Sequence, residues 1–360
     1  MGADSALGQL WLFSLVAMTP FLLSILCDPV TRGPLTLCDA EYDASGNIWS
    51  GRLINAEGRV YPVRAGIPRF VGDESGELAE SVRSFGDEWN HFNFKRHKIQ
   101  WLDHTVANTF GSVDSFRDKV VVDAGAGSGS QSAWMLEAGA RHVILLELSH
   151  AVDGVISRNL KEGGCPNYDI IQCSIDAPPI ADASIDGIVI CHNVIQHTPD
   201  VKKTAEALFR IVAPGGEFVF NCYPKNDAGF LRSLRFRLVH VGFRSIMRRA
   251  PFSVTLAYAR LMGALRLVPL LGYGIEKAGL CVQGEVRDRV KGTAKLKARY
   301  RATALNTFDA FGSHTYQHYL SDDQIRTMVR ELQPASEKVL NLDRYFLRPP
   351  PIGCAIRVGK

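Results

Sequence analysis

The chain has 360 residues, 46% of them hydrophobic and 22% charged, with 41 basic against 37 acidic side chains for a net charge of +4. That balance excludes a disordered chain and gives no sign of a polyanionic partner such as DNA. Eight cysteines are scattered, several inside apolar runs (Cys173, Cys191, Cys222), which favours buried thiols in a reducing, cytoplasmic setting over a disulfide framework.

In chain order, residues 6–26 carry no charge and are just long enough to cross a bilayer. Gln9, Ser14, Thr19, Pro20 and Ser24 interrupt the segment, and no basic flank appears before Arg32. The acidic start, Met1 to Ser5, argues against a secretory signal. Residues 1–20 are therefore expected to be an apolar segment, either an anchor or an extension upstream of a start at Met18. Residues 21–71 form a small β-rich module, and 76–116 form a helical lid in which Phe85, Trp89, Phe92, Phe94 and Trp101 alternate with charges.

Residues 117–226 carry the strongest pattern. Val120-Val121-Val122 reads as a buried strand, Gly125, Gly127 and Gly129 as a tight turn that lets a ligand approach the backbone, and 131–138 as a helix. A dinucleotide fingerprint requires a third glycine where Ser130 stands, which disfavours a nicotinamide oxidoreductase. A second strand, Val143 to Leu148, closes on an acid, Glu147, and a third runs from Ile170 toward Asp176. A fourth strand, 186–191, leads into His192 and Asn193, and helix 201–212 ends at Pro214-Gly215-Gly216 before the strand 217–220.

The run of DAGAGSG, LLELS, IDGIVICHNVIQH and RIVAPGGEFVF resembles the core of the class I S-adenosylmethionine-dependent methyltransferases over about 118–222, with a closing hairpin near 337–359. The resemblance implies an α/β fold: a Rossmann-like, doubly wound, mostly parallel seven-stranded sheet. It implies S-adenosylmethionine as cofactor, with Asp123, Gly125, Gly127 and Gly129 shaping its pocket and Glu147, followed by Leu148, on the ribose. Relatives hold the adenine amino group with an aspartate where Ser174 stands, so Ser174, Ile175 and Asp176 share that part of the assignment. His192 and Asn193 fall beside the methionine end. His197 falls where many relatives carry a histidine, a base near neutral pH, and His318 is the alternative base. Residues 26–68 resemble a small zinc ribbon, but Cys27 and Cys38 are two thiolates where four are needed, so the module is read as degenerate and metal-free.

Between Ala228 and Ile275 lie eight arginines and no acid, interleaved with Phe, Leu and Val. Residues 227–305 therefore form a basic helical insertion, suited to an anionic, hydrophobic acceptor or a membrane surface. RNA is not favoured, because Lys291, Lys295, Lys297, Arg299 and Arg301 bring charge with little aromatic interleaving. Residues 306–360, with a capped helix starting at Ser321, complete the domain. The expected activity is methylation of a small or lipid-linked acceptor on oxygen. The alternatives are methylation on carbon of a quinone-like precursor, and a non-catalytic cofactor-binding scaffold. The expected location is cytoplasmic, with a membrane surface met through 228–275 or the N-terminal segment.

Overall fold

The computed structural model describes residues 17–71, 82–83, 85–87, 89, 97–223, 225, 229–282, 291–312, 314–340 and 354–360. Most of the expected N-terminal apolar segment, the lid residues Phe92 and Phe94, and part of the insertion lie outside the described residues.

The first element is α1 (Pro20–Ile25), started by proline and capped by the Thr19 hydroxyl, which accepts from the Leu22 N–H. Four strands follow, β1 (Thr36–Tyr42), β2 (Ile48–Ile54), β3 (Val60–Arg64) and β4 (Ile67–Pro68), in an antiparallel sheet of that order. Asp28, fully buried, ties this small sheet together. It accepts from Tyr61 Oη at 2.8 Å, Asn55 Nδ2 at 2.9 Å and the Val30 and Thr31 N–H groups. Burial alone would push its carboxyl pKa up; these hydrogen bonds outweigh burial and hold it at about 2. A polar knot thus sits beside Cys27, where a ribbon would present thiolates. Among the described residues no three His, Cys, Asp or Glu side chains gather as a metal site.

The main sheet has seven strands, β5 (Val120–Ala124), β6 (His142–Glu147), β7 (Tyr168–Gln172), β8 (Ile188–Cys191), β9 (Glu217–Cys222), β10 (Ser336–Leu340) and β11 (Cys354–Gly359), ordered β10-β11-β9-β8-β5-β6-β7. β5 to β9 pair in parallel, and β11 runs antiparallel to both β9 and β10. Strands β5, β6 and β8 are apolar almost without alternation because helices cover both faces. One face of β5, Val120 and Val122, packs toward Leu208 and Phe218; the other, Val121, packs toward Trp101 and Trp134. The helices are α2 (Ser130–Glu137), α3 (Val155–Glu162) and α4 (Val201–Ile211), the last capped by Asp200. The strand order reverses between β5 and β8, the switch point at which open sheets of this kind bind ligands.

The small sheet docks on the outer edge of β7. Phe70 N–H donates to the Gln172 carbonyl at 2.8 Å, and Arg69 bridges Gln172 in parallel register. Buried Asp169 accepts from Thr19 N–H at 2.8 Å and Thr19 Oγ1 at 2.6 Å, with His142 Nε2 2.7 Å away.

The insertion is helical where described: a continuous run of Phe230–Arg235, Phe236–Phe243 and Arg244–Met247, then α5 (Phe252–Leu265), α6 (Pro269–Ala278) and α7 (Gly292–Phe311). It leaves large apolar side chains in solvent, Phe230 at 80%, Leu231 at 78% and Leu270 at 90% exposure among them. After α7 the chain crosses back to α8 (Asp322–Glu331), which opens with a full capping box between Ser321 and Gln324. No helix among the described residues is long and apolar enough to cross a membrane.

Candidate functional site

The glycine turn is built as its composition dictates. Gly125, Gly127 and Gly129 all have positive φ (85°, 56° and 72°), which an L side chain adopts only under strain. Space enforces the same choice: a Cβ on Gly125 would lie 2.5 Å from Val194, and one on Gly127 would lie 2.8 Å from the Trp89 ring. Gly125 and Ala126 donate to the Leu146 carbonyl, which lays the turn across the end of β6.

Glu147 closes that end. Its buried carboxylate accepts from Gly127 N–H and Ser149 N–H, both at 2.8 Å. Burial raises its pKa, while the hydrogen bonds from Ser149 and Gly127 pull it back down. Asp123 lies at the end of β5 and accepts from Ser132 Oγ at 2.5 Å. Burial raises its pKa to about 6, against the pull of Ser132 and with a push from Glu147. Leu148 sits half-buried behind Glu147, its carbonyl taking Gln172 Nε2 at 3.3 Å. Ser174 and Asp176 are half-buried and Ile175 is buried, all just beyond the carboxyl end of β7. The turn, Glu147 and the 174–176 segment therefore share one edge of the sheet.

The loop after β8 supplies the other wall. Asn193 holds a left-handed conformation (φ 61°), pinned by a reciprocal pair with Asn221: its N–H donates to Asn221 Oδ1, and Asn221 Nδ2 donates to Asn193 Oδ1. His192 Nε2 lies 3.2 Å from Thr105 Oγ1, and burial lowers its pKa to about 4. His197 Nδ1 lies 3.1 Å from the Tyr316 carbonyl, which can only accept, so Nδ1 carries the proton and Nε2 is the bare nitrogen. Nε2 lies 3.6 Å from Asp309 Oδ1, and Tyr223 Oη donates to Asp309 Oδ2 at 2.5 Å. His314, fully buried, places Nε2 3.7 Å from the same Oδ1. Burial lowers the His197 pKa to about 4, Asp309 opposing and His314 reinforcing the effect.

An aromatic series links this cluster to the glycine turn. Phe85 stacks on His314 at 4.1 Å, meets His197 edge-on at 5.5 Å, and stacks with Trp89 at 6.4 Å, the ring that faces Gly127. His318 stands differently: its Nε2 lies 2.9 Å from the Thr198 carbonyl and its N–H donates to the Gln196 carbonyl, so its Nε2 proton anchors the 314–319 segment. Of the two candidate bases, His197 is the one with an unbonded ring nitrogen inside the cluster.

Four buried polar atoms of this loop have no hydrogen-bond partner among the described residues: His192 Nδ1, Gln196 Oε1 and Nε2, and His197 Nε2. Buried polar atoms are nearly always bonded, so four together mark a surface made to meet a ligand. Sequence reading missed Asp309, Tyr223 and Asn221. The available signals were an acid alone between Phe308 and Phe311, and polar residues directly after the apolar run 218–220.

The glycine turn, the acid closing the second strand and the polar loop thus meet at the switch point of a doubly wound α/β sheet, where such folds bind ligands. Residues 122–220 match the family described as "Methyltransferase domain". Over 134 residues the chain is 30% identical to a ubiquinone biosynthesis O-methyltransferase of Aromatoleum aromaticum, covering 37% of this chain and 53% of that protein. Over 101 residues it is 30% identical to a ubiquinone/menaquinone biosynthesis C-methyltransferase of Brucella anthropi, covering 27% and 38%. The chain thus spans about half the length of the curated relatives it matches. Among solved structures, an S-adenosylmethionine dependent methyltransferase from Mesorhizobium loti aligns with a TM-score of 0.38 at 14% identity, covering 68% of this chain and 93% of that one. Over residues 122–220, then, the chain is similar to methyltransferase domains.

Proposed function

We propose that the chain transfers a methyl group from S-adenosylmethionine to oxygen on a small or lipid-linked acceptor, an aromatic precursor of the quinone type being the acceptor class that the names of its relatives suggest. The observation that carries this reading is the group of orphaned polar atoms at His192, Gln196 and His197, on the loop that faces the glycine turn. The cradle fits the cofactor: positive-φ glycines leave no Cβ in the way, and the Glu147 carboxylate has the acceptor oxygens that a ribose diol requires. When bound, S-adenosylmethionine supplies an already activated methyl group on a sulfonium.

The protein's own work is then orientation and proton removal. With a pKa of about 4, His197 is neutral throughout the neutral range, its bare Nε2 ready to accept a hydroxyl proton. Burial makes the imidazolium costly, and Asp309, held by Tyr223, lies 3.6 Å away to stabilise the charge as it forms. Trp89 lies against the turn and Phe85 against the base. A hydroxyl acceptor arrives protonated, so transfer to oxygen gives this base a proton to take.

Calorimetric titration of S-adenosylmethionine and its demethylated product into the wild type tests the reading. Binding of both supports it. A folded protein that binds neither refutes it, and the cofactor-binding scaffold with it.

A further inference from the structure

A second cavity, of about 390 Å³ and open to solvent, lies outside the cofactor cradle, between the 236–248 helical run and the 317–319 segment. Lys225, Arg244 and Arg248 line it together with Phe236, His240 and Tyr319, and no acidic side chain is among its lining residues. Arg244 and Arg248 are one helical turn apart, a spacing at which like charges repel. Burial lowers the Arg244 pKa; Tyr319 and Asp309 oppose the drop and Arg248 adds to it. His240 is driven down to about 4 by burial and by Arg235 and Arg244.

Both guanidiniums are fixed by neutral acceptors. Arg244 Nε donates to Gln317 Oε1 at 2.5 Å and to the Ala310 carbonyl at 3.2 Å, and its Nη2 to the His314 carbonyl at 2.7 Å; Arg248 Nη1 donates to the Thr315 carbonyl at 3.2 Å. Among the described residues neither has a carboxylate within ion-pair distance. A buried cation held rigid without a counter-charge is costly, and a bound anion removes that cost. Two guanidiniums one turn apart suit a multiply charged anion better than a single carboxylate.

We propose that this cavity is a phosphate-class anion subsite. Its position relates it to the reaction centre, a relation that rests on the methyltransferase reading. The 314–319 segment is a shared wall: the Tyr316 carbonyl fixes the His197 tautomer on one side, while Gln317, His318 and Tyr319 line the cavity on the other. Leu238, Val241 and Ile246 of the same helical run are exposed beside it, so the anion is carried by an amphiphile, either the acceptor itself or a lipid headgroup.

The test is calorimetric titration of inorganic pyrophosphate into the full chain at low salt, for wild type, Arg248→Gln and Arg249→Gln. Arg249 is exposed, does not line the cavity and carries the same charge. The expected result is binding by wild type, weakened about tenfold or more in Arg248→Gln and changed less than about twofold in Arg249→Gln. No binding by wild type, equal affinity in Arg248→Gln, or equal loss in both variants overturns the proposal. Flotation with vesicles of phosphatidate in phosphatidylcholine, against phosphatidylcholine alone, identifies the carrier. Arg248-dependent capture on phosphatidate means a lipid headgroup, and pyrophosphate binding without capture means a soluble acceptor. S-adenosylmethionine titration of the same samples keeps the two readings apart. If it binds while pyrophosphate does not, only the anion subsite fails; if only pyrophosphate binds, the methyltransferase reading fails.

Discussion

His314 is fully buried against Phe85, and burial lowers its pKa from the ordinary 6.5 to about 4, against the pull of Asp309. Between those values the unfolded chain binds a proton at this position that the native protein refuses. Stability contributed here is intact above pH 6.5 and is lost as pH falls toward 4. At pH 5, one and a half units below the unfolded value, the loss relative to pH 7 is about 2 kcal/mol. In His314→Phe, which keeps a ring for Phe85 to stack on, that share of the pH dependence disappears. Urea unfolding of wild type and variant at pH 7 and pH 5 measures it as a difference of differences, so any change in stability at neutral pH cancels. Asp123 titrates with the opposite sign: its raised pKa of about 6 means the native state gains a proton first as pH falls, which adds stability in both proteins and also cancels. The same pH dependence in both, within about 0.5 kcal/mol, would refute the claim that His314 is held neutral by burial.

Gly127→Arg places a side chain at positive φ where Trp89 already lies 2.8 Å from the Cβ position, and S-adenosylmethionine affinity should fall at least a hundredfold, read by calorimetry. Asp309→Asn removes the counter-charge for the His197 imidazolium. We expect turnover to drop about tenfold or more at unchanged cofactor affinity, and an unchanged rate would place the proton elsewhere. Asp28→Asn should lower stability by about 2 kcal/mol in thermal or urea unfolding, because one of the donors from Tyr61, Asn55, Val30 and Thr31 then meets an amide N–H. Cofactor affinity should be untouched, since the knot lies in the small sheet.

The sheet and its cradle were legible because their signals are local. Three β-branched residues, an acid and alternating glycines at 120–129 state strand, turn and ligand approach within ten positions. Glu147 was legible as the acid closing the second strand, its ribose role being what the resemblance implies, and its bond to Gly127 N–H joins the two motifs directly. The cluster around His197 was only half legible. His197 was visible as a histidine after a strand, but what sets its tautomer, Tyr316, and its counter-charge, Asp309, come from beyond the insertion, more than a hundred residues on. His318 looked equally suited, and only the Thr198 carbonyl distinguishes it. Trp89 stood out in the sequence as a lid ring, but its contact with Gly127 did not, since no periodicity tells which ring meets a glycine far along the chain.

The small N-terminal sheet has a consequence for how the molecule is made. Its anchors on the core lie far downstream of what they hold, Asp169 by 150 residues from Thr19 and Gln172 by about 100 from Phe70. At about 5–20 residues per second, a ribosome exposes Phe70 for about 5–20 seconds before Gln172 exists. During that interval the hydrogen-bonding edge later covered by β7 is open to other strands, a known route to aggregation. The Asp28 knot is complete by Tyr61, so the module can close on itself early and wait. When β7 forms last among the first three core strands in the chain, the waiting module covers its free edge as it emerges. A segment synthesised ahead of the core thus serves as a cap for a strand not yet made, and slowing translation between 71 and 172 should raise the share of chains lost to aggregation.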